Sequence, residues 1–445
     1  MSKRIIPFLF LLLLAVVAQA QNVFVSTTGD DGNSGASWEA AKATLAAGIA
    51  AAGTNGTVFV KAGAYATTAE LNIPAGVTVM GGFTPSSTGT DTSNRNLPGA
   101  NLHWSNSSWC SIITGSGTHR IATVHGLLDG CVVRHGFTNT LGGGVLIDGG
   151  TVRYCILKEC DAISDSEVPA EGGGAYVKNN GTLLNCVVTE CRGDKGSGVA
   201  GGNGSLISNT ITRNRPTDCG VVADYDGNLY KTVVIGEQCW MRENLRTTHY
   251  ADGVLIAEGT SSSSTVPYRY RGYVTEAQHL QDPSIFVRCG YLYNWSAVMH
   301  GAASSNANPS GVQGICPNGW HVPSRVEWMQ LINYVQSVPR FWCSGNSSYI
   351  GKSFASKTNW QNFGTSCYAG NNIESNNATL FSAQPVGTFS DSYSAYGAYA
   401  YLASSTENNS SSFNRISFQY DRRDYYITNN SSKSNGSSVR CVKDK

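Results

Sequence analysis

Between Leu128 and Asn214 the chain repeats itself, and that repeat limits the folds open to it more than any other feature. The segments Leu128-Asp-Gly-Cys-Val-Val133, Val152-Arg-Tyr-Cys-Ile-Leu157, Leu183-Leu-Asn-Cys-Val-Val188 and Leu206-Ile-Ser-Asn-Thr-Ile211 share one pattern. Each has an apolar residue, Cys or Asn three places on, and another apolar residue two further. Cys131, Cys155, Cys186 and Asn209 therefore hold equivalent places, at intervals of 24, 31 and 23 residues. The long interval contains an insertion. Gly142-Gly-Gly144, Gly172-Gly-Gly174 and Gly196-Ser-Gly198 keep the same register, each preceding the Cys or Asn by a nearly constant interval.

A period in the low twenties, built of short β-type runs separated by glycine, predicts a solenoid of stacked coils. The runs are too short and too rich in Val, Ile, Thr and Gly for helical repeats, and leucine-rich repeats would need a denser leucine pattern. The better fit is a right-handed parallel β-helix, in which each coil lies roughly 4.8 Å above the last. Leu128, Val152, Leu183 and Leu206 then form one inward stack. Val133, Leu157, Val188 and Ile211 form a second, and Val145, Ala175 and Val199 a third. Gly136, Cys160, Cys191 and Asn214 align at a following corner. These units resemble those of the pectate-lyase-like β-helix proteins of secreted bacterial origin. The resemblance is one of repeat pattern over about the first half of the mature chain, and it implies a fold more than an activity.

Met1-Ser-Lys-Arg4 is a basic start, Ile5 to Val17 an apolar run, and Ala18-Gln-Ala20 a small-x-small cleavage pattern. Residues 1–20 are therefore expected to be a signal peptide for the general secretory route; retention as an anchor is the alternative. No later stretch approaches the roughly 20 apolar residues of a membrane span, so none is expected in the mature chain. The expected location is periplasmic, outer-surface or extracellular. A net charge of +1 with 14% charged residues offers no footprint for nucleic acid or an anionic membrane.

Thirteen cysteines in an exported chain permit disulfides, with at least one thiol left over. Those in the repeat read differently. Stacked a strand spacing apart with parallel Cβ vectors, Cys131, Cys155, Cys160, Cys186 and Cys191 suit buried thiol ladders better than bridges. A thiol also packs as a small hydrophobe.

Ahead of the repeat, Asn22 to Ser26 reads as a strand and Thr28 to Gly35 as a polar loop. That loop's carboxylates could hold Ca²⁺, though a glycine-rich turn needs no metal. Ser37 is placed to cap a helix from Trp38 to about Ala52 that covers the end of the solenoid. Together with the stretch Ile73 to Phe83, this opening looks like that of many secreted β-helix proteins. Acids within the repeat are sparse except in the inserted loop Asp161 to Glu171. There Asp161, Asp165, Glu167 and Glu171, near Lys158 and Arg153, form the site candidate of the first domain. A solvated acidic loop is the plain alternative. A polysaccharide hydrolase would need carboxylates at set separations.

After Asn214 the period ends, and Trp and Tyr become frequent. Asp224 to Met241 reads as a hairpin turning at Asp226-Gly227, where Asp224, Asp226 and Asn228 form a second conceivable Ca²⁺ set. Asp226-Gly-Asn-Leu-Tyr-Lys-Thr-Val, Trp240-Met-Arg-Glu-Asn-Leu245, Gly290-Tyr-Leu-Tyr-Asn-Trp295, Cys316-Pro-Asn-Gly-Trp-His-Val-Pro-Ser324, Ser404-Ser-Thr-Glu407 and Ser438-Val-Arg-Cys-Val-Lys-Asp444 follow in order. This series resembles the Fibrobacter succinogenes major paralogous domain, a module of secreted Bacteroidetes and Fibrobacter proteins, over about residues 222–444. The family often has Trp-Trp where this chain has Leu402-Ala403. The resemblance implies an extracytoplasmic location and carries no catalytic residues.

The stretch from Gly319 to Trp328 also looks like the strand-to-helix junction of C-type-lectin-like and formylglycine-generating-enzyme folds. Ser324 and Glu327 form a capping box, and Trp328, Leu331, Ile332 and Val335 an apolar face. Lectin-like folds join their ends near here, which implies a Cys316–Cys441 disulfide. Cys343 with Cys367 and Cys239 with Cys289 are further candidate pairs. The calcium-binding loop of true C-type lectins is missing, since Gln384-Pro-Val386 lacks the acid. A calcium-free surface has two candidate sources: Tyr393, Tyr396, Tyr399 and Tyr401, or Asp421-Arg-Arg-Asp-Tyr-Tyr426.

The expected architecture is thus a signal peptide (1–20), an all-β right-handed parallel β-helix with an N-terminal capping helix (21–217), and an α+β, C-type-lectin-like domain (222–445). The expected function is non-enzymatic: a scaffold presenting a module that binds a glycan or cell-surface ligand. The alternative is a polysaccharide lyase or hydrolase in the β-helix, targeted by the second domain.

Overall fold

Short runs of Val, Ile and Thr separated by glycine form parallel strands in the computed structural model, which describes residues 21–93, 95–98, 107–164, 166, 168–272 and 284–444. Residues 1–20, read as a signal peptide, lie outside the described residues. The chain divides into two compact units, Met1–Arg215 and Pro216–Lys445. Among the described residues no helix is long and apolar enough to cross a membrane.

In the first unit the strands join in sheets of seven, six, five and four strands, with parallel pairing from coil to coil, an arrangement consistent with a β-helix. Val152 pairs with Leu128 and Leu183, and Leu183 with Leu206. Leu157 pairs with Val133 and Val188, and Val188 with Ile211. Ala175 pairs with Val145 and Val199. Because side chains alternate across a strand, in-register pairing puts these residues on one face. They fill a continuous apolar core that is dry up to Val188. Each fully buried Val or Leu contributes about 1.5–3 kcal/mol. Leu206 and Ile211, on the last coil, are exposed.

Most corners of the repeat adopt the left-handed conformation without glycine, the exception being Gly130 with φ of 70° ahead of Cys131. Tyr154, Asn185 and Ser208 have φ of 51°, 52° and 50°, and His135, Glu159, Glu190 and Arg213 have φ of 56°, 54°, 55° and 55°. Each immediately precedes the Cys, Asn or Gly that turns into the core. Such a conformation costs about 1–2 kcal/mol per residue, so stacking holds these corners rather than local preference. The cysteines that follow, Cys131, Cys155, Cys160, Cys186 and Cys191, are buried and not disulfide-bonded. The Cys131 N–H donates to Cys155 Sγ at 3.4 Å and the Cys155 N–H to Cys186 Sγ at 3.5 Å.

The helix over the first strands is shorter than the sequence predicts. It spans Leu45–Ala52 and is capped by Thr44, not Ser37. The stretch before it runs through bends and turns, with Lys42 bridged to Val25. Asp31 takes over the helix start: its Oδ1 accepts the N–H groups of Ala43 and Thr44, each at 2.9 Å, and its Oδ2 the Thr44 hydroxyl at 2.8 Å. The oxygens of Asp31 are thereby engaged in capping. Trp38 instead packs on Phe24 and Phe83.

The second unit is mostly antiparallel. The expected single hairpin at Asp224 to Met241 is two: Val222–Ala223 pairs with Leu229–Tyr230 around Asp226-Gly227, and Thr232–Ile235 with Gln238–Met241 around Gly236. Asp224 accepts from Asn228 and from the Tyr230 hydroxyl, at 2.6 Å. Asp226 accepts from Thr247, Thr248 and His249. Hydrogen bonds within the protein therefore account for both carboxylates.

The Arg325–Ser337 helix opens on the Ser324/Glu327 capping box and buries Trp328, Leu331, Ile332 and Val335. Fully buried Arg440, two residues ahead of the last strand, ties the end of the unit to two other segments. Its Nε donates to Asn244 Oδ1 at 2.7 Å, and its Nη groups to the carbonyls of Met241, Phe381 and Ser382. Burial lowers its pKa to about 9.

Disulfides join Cys316 to Cys441 and Cys343 to Cys367. Cys239 is bonded to Cys219 and not to Cys289, which is a buried thiol. The reason is local: the hairpin carrying Cys239 lies along residues 217–219, with the Val234 N–H on Thr217 O at 2.8 Å and the Cys219 N–H on Thr232 Oγ1 at 2.9 Å. Cys289 packs elsewhere, with Tyr270, Ile285 and Leu292.

Candidate functional site

The strands Ser412–Gln419 and Tyr425–Ser432 are joined by the turn Asp421-Arg-Arg-Asp424, one of the two stretches singled out for a calcium-free surface. Two neighbouring segments press against the backbone of this charged turn. The Gly351 N–H donates to Arg423 O at 2.7 Å and the Gly370 N–H to Tyr420 O at 2.8 Å. A Cβ at Gly351 would stand 2.8 Å from Asp424 O, and one at Gly370 2.3 Å from Gln361 O, so both positions require glycine.

The two loops carry the aromatic walls. Tyr349 belongs to a turn closed by its own carbonyl on the Cys343 N–H at 2.9 Å. Tyr368 follows Cys367 and stacks on Phe363 with ring centroids 4.9 Å apart. The Cys343–Cys367 bridge fastens one loop to the other. Beneath them Lys352 Nζ donates to the carbonyls of Asn371 and Asn372, and burial lowers its pKa to about 8.

Between these walls and the turn lies a cleft of about 330 Å³, lined also by Ser348 and Gln419. The Arg423 guanidinium lies over both rings, 4.8 Å from Tyr349 and 5.1 Å from Tyr368. Its Nη1 donates to the Tyr349 hydroxyl at 3.0 Å. Arg422 Nε donates to Asp424 Oδ1 at 3.0 Å, a bond that raises the Arg422 pKa. Two atoms are left over: Asp421 Oδ1 and Arg423 Nε are buried with no hydrogen-bond partner. An unmatched buried polar group costs about 1–3 kcal/mol, and such a group in a native structure calls for an explanation. Both residues line the cleft, while these two atoms are enclosed by the fold.

The four tyrosines proposed from sequence do not form one surface. Tyr393 and Tyr396 pack on the core of Tyr270, Ile285, Leu292, Val386 and Phe389. Tyr401 lies under the Arg415 guanidinium, 3.7 Å from its ring centroid. Tyr399 pairs across the sheet with Gln419 of the cleft; burial and then the charge of Asp421 raise its pKa.

Nor do Asp161 and Glu171, the described acids of the inserted loop, share a site. Asp161 is 1% exposed and holds Arg192 Nε and Nη2 at 3.2 and 3.0 Å. Glu171 pairs with Lys195 at 3.0 Å, while Asp165 and Glu167 lie outside the described residues. The neighbouring cations are engaged as well, Lys158 with Glu159 and Glu190 and Arg153 with Asp129. Among the described residues no group of three or more His, Cys, Asp or Glu is arranged to hold a metal ion.

Sequence reasoning missed Ser348, Tyr349, Tyr368 and Gln419. The signal that could have found them was the Cys343–Cys367 pair, which brings two aromatic-bearing loops to one place. Residues 233–443, which include the whole cleft, match the family model of the Fibrobacter succinogenes major domain. No curated protein and no solved structure matches the chain at a significant level.

Proposed function

We propose that this is an exported, non-enzymatic protein in which a right-handed parallel β-helix serves as a rigid platform for a C-type-lectin-like module that binds a glycan in the Tyr349–Tyr368–Arg423 cleft. The observation that carries the reading is the cleft of about 330 Å³ itself, walled by Tyr349 and Tyr368 and edged by the charged turn from Asp421 to Asp424. Pockets that orient a small ligand combine apolar walls with a few placed polar groups, and sugar hydroxyls both donate and accept. The three disulfides and the basic, apolar, small-x-small opening favour export. The engagement of Asp161 and Glu171 in ion pairs favours a scaffold over an enzyme for the first unit.

A glycan array probed with the whole mature chain tests this. The expected result is binding to a defined glycan set that is lost in Arg423→Ala and Tyr368→Ala variants with unchanged melting. Release of unsaturated or reducing ends from polysaccharides, or array binding indifferent to both substitutions, would overturn it.

A further inference from the structure

We infer that the glycan site extends from the cleft onto the neighbouring face of the three-stranded sheet, where Tyr399 and Tyr426 each carry one unit of an extended polysaccharide chain. The statement rests on the glycan reading. The strands Tyr399–Asn409, Ser412–Gln419 and Tyr425–Ser432 form that sheet. Tyr399 is paired with Gln419, and Ser417 with both Tyr401 and Tyr426. Paired residues share a face, as do residues two apart on one strand. Tyr399, Tyr401, Ser417, Gln419 and Tyr426 therefore all project the same way. Two strand spacings, roughly 10 Å, separate the strand of Tyr399 from that of Tyr426, which leaves room for separate sugar units. Gln419 stands on the strand between them and also lines the cleft, so cleft and face are continuous.

Cations already lie over most of the nearby rings: Arg423 over Tyr349 and Tyr368, and Arg415 over Tyr401 at 3.7 Å. Tyr426 is more open, 48% exposed with Arg422 5.6 Å from its ring. Half-buried Tyr399 has other rings for neighbours, Tyr401 at 5.5 Å and Tyr420 at 6.4 Å. Between the two outer strands Ser417 is fully buried, so the flanking side chains close over it and the face presents rings rather than a polar gap. A tyrosine open to water offers apolar ring area with a polar tip, which matches the C–H face and the hydroxyls of a sugar. A chain that places one end in the cleft reaches both rings by way of Gln419.

The test is calorimetric titration of the whole mature chain with cellobiose and cellohexaose, xylobiose and xylohexaose, and mannobiose and mannohexaose, with sedimentation run alongside. In at least one series the hexasaccharide is expected to bind about tenfold tighter than the disaccharide, because it reaches two further rings. Tyr426→Ala and Tyr399→Ala are each expected to weaken hexasaccharide binding about three- to tenfold and to leave the disaccharide within about twofold. Tyr426→Phe should keep the gain with length. Equal affinity for both lengths, or a gain unmoved by both alanine variants, with binding still lost in Arg423→Ala, would overturn the extension and leave glycan binding at the cleft intact. Self-association lost in Tyr426→Ala with hexasaccharide binding unchanged would overturn it in favour of a second copy on this face. Binding in none of the series, or binding unmoved by Arg423→Ala, would overturn the glycan reading itself and this inference with it.

Discussion

Asn209 closes the hydrogen-bonded ladder to which Cys186 belongs. Its Oδ1 accepts the Cys186 N–H at 2.8 Å while its Nδ2 donates to Leu183 O, also at 2.8 Å. In the coils below a sulfur does the accepting, at 3.4 to 3.5 Å. Asn214 does the same for Cys191 and Val188, at 2.9 Å each. A carboxamide has both a donor and an acceptor, so on the last coil it satisfies the coil beneath without a further Cys above it. Replacing Asn209 with Ala is expected to destabilise the first unit by about 1–2 kcal/mol. Asn209→Cys should recover part of the loss, as urea unfolding of both variants will measure.

Asp161 separates the structural from the functional reading of the inserted loop. Removing one partner of a buried ion pair costs about 3–5 kcal/mol, and the Asp161 and Arg192 side chains are 2% and 9% exposed. Asp161→Ala should therefore lower the denaturation midpoint of the first unit sharply. Glycan binding by the protein that remains folded should not change. Loss of binding without loss of stability would return the loop to candidacy as a site.

His321 makes the second unit sensitive to rising pH. Its Nε2 lies 2.7 Å from Glu327 Oε1 and its Nδ1 2.6 Å from Asp444 Oδ1. Both partners are acceptors when ionised, so the ring must carry two protons. Burial pulls its pKa down, but the bonds to Glu327 and Asp444 outweigh burial and the net shift is upward. A folded pKa above the unfolded value of about 6.5 means that the stabilisation is complete below about pH 6.5 and fades as pH rises through the folded value. An NMR titration of the His321 ring should place its midpoint above that of a model histidine. Asp444→Asn should bring it down and flatten the pH dependence of melting.

The Cys343–Cys367 bridge, which closes a sequence separation of 24 residues, should matter for both stability and binding. Chain-entropy arithmetic gives about 3 kcal/mol for a loop of this order. The double variant Cys343→Ser/Cys367→Ser is therefore expected to melt lower and to bind glycan at least tenfold more weakly, because the Tyr349 and Tyr368 walls are no longer fastened together. Calorimetric melting and the array signal should fall together. A variant that melts lower but binds normally would show that the bridge does not position the cleft.

What could be read from the bare chain follows from how local each signal is. The coil register was legible because Leu157 and Val188 are separated by one repeat unit, and a two-residue side-chain period leaves a single choice of which residues face inward. The left-handed corners at Tyr154, Glu159 and Glu190 were not, because none is glycine. The helix start moved from Ser37 to Thr44 because the Asp31 carboxylate reaches across the loop to cap it, a contact with no trace in the helical pattern.

The capping box of Ser324 and Glu327 was visible for the same local reason, three residues apart on one turn. The cleft was not: Tyr349 and Arg423 are separated by 74 residues, and their meeting depends on glycine contacts and a disulfide that only the folded chain assembles. Repetition and short-range spacing are written into neighbouring residues, so the chain alone determined the stacked strands and the helix cap. Which charges are buried in pairs, and which rings and charges meet around a cleft, depends on long-range packing, and the tertiary structure alone decided it.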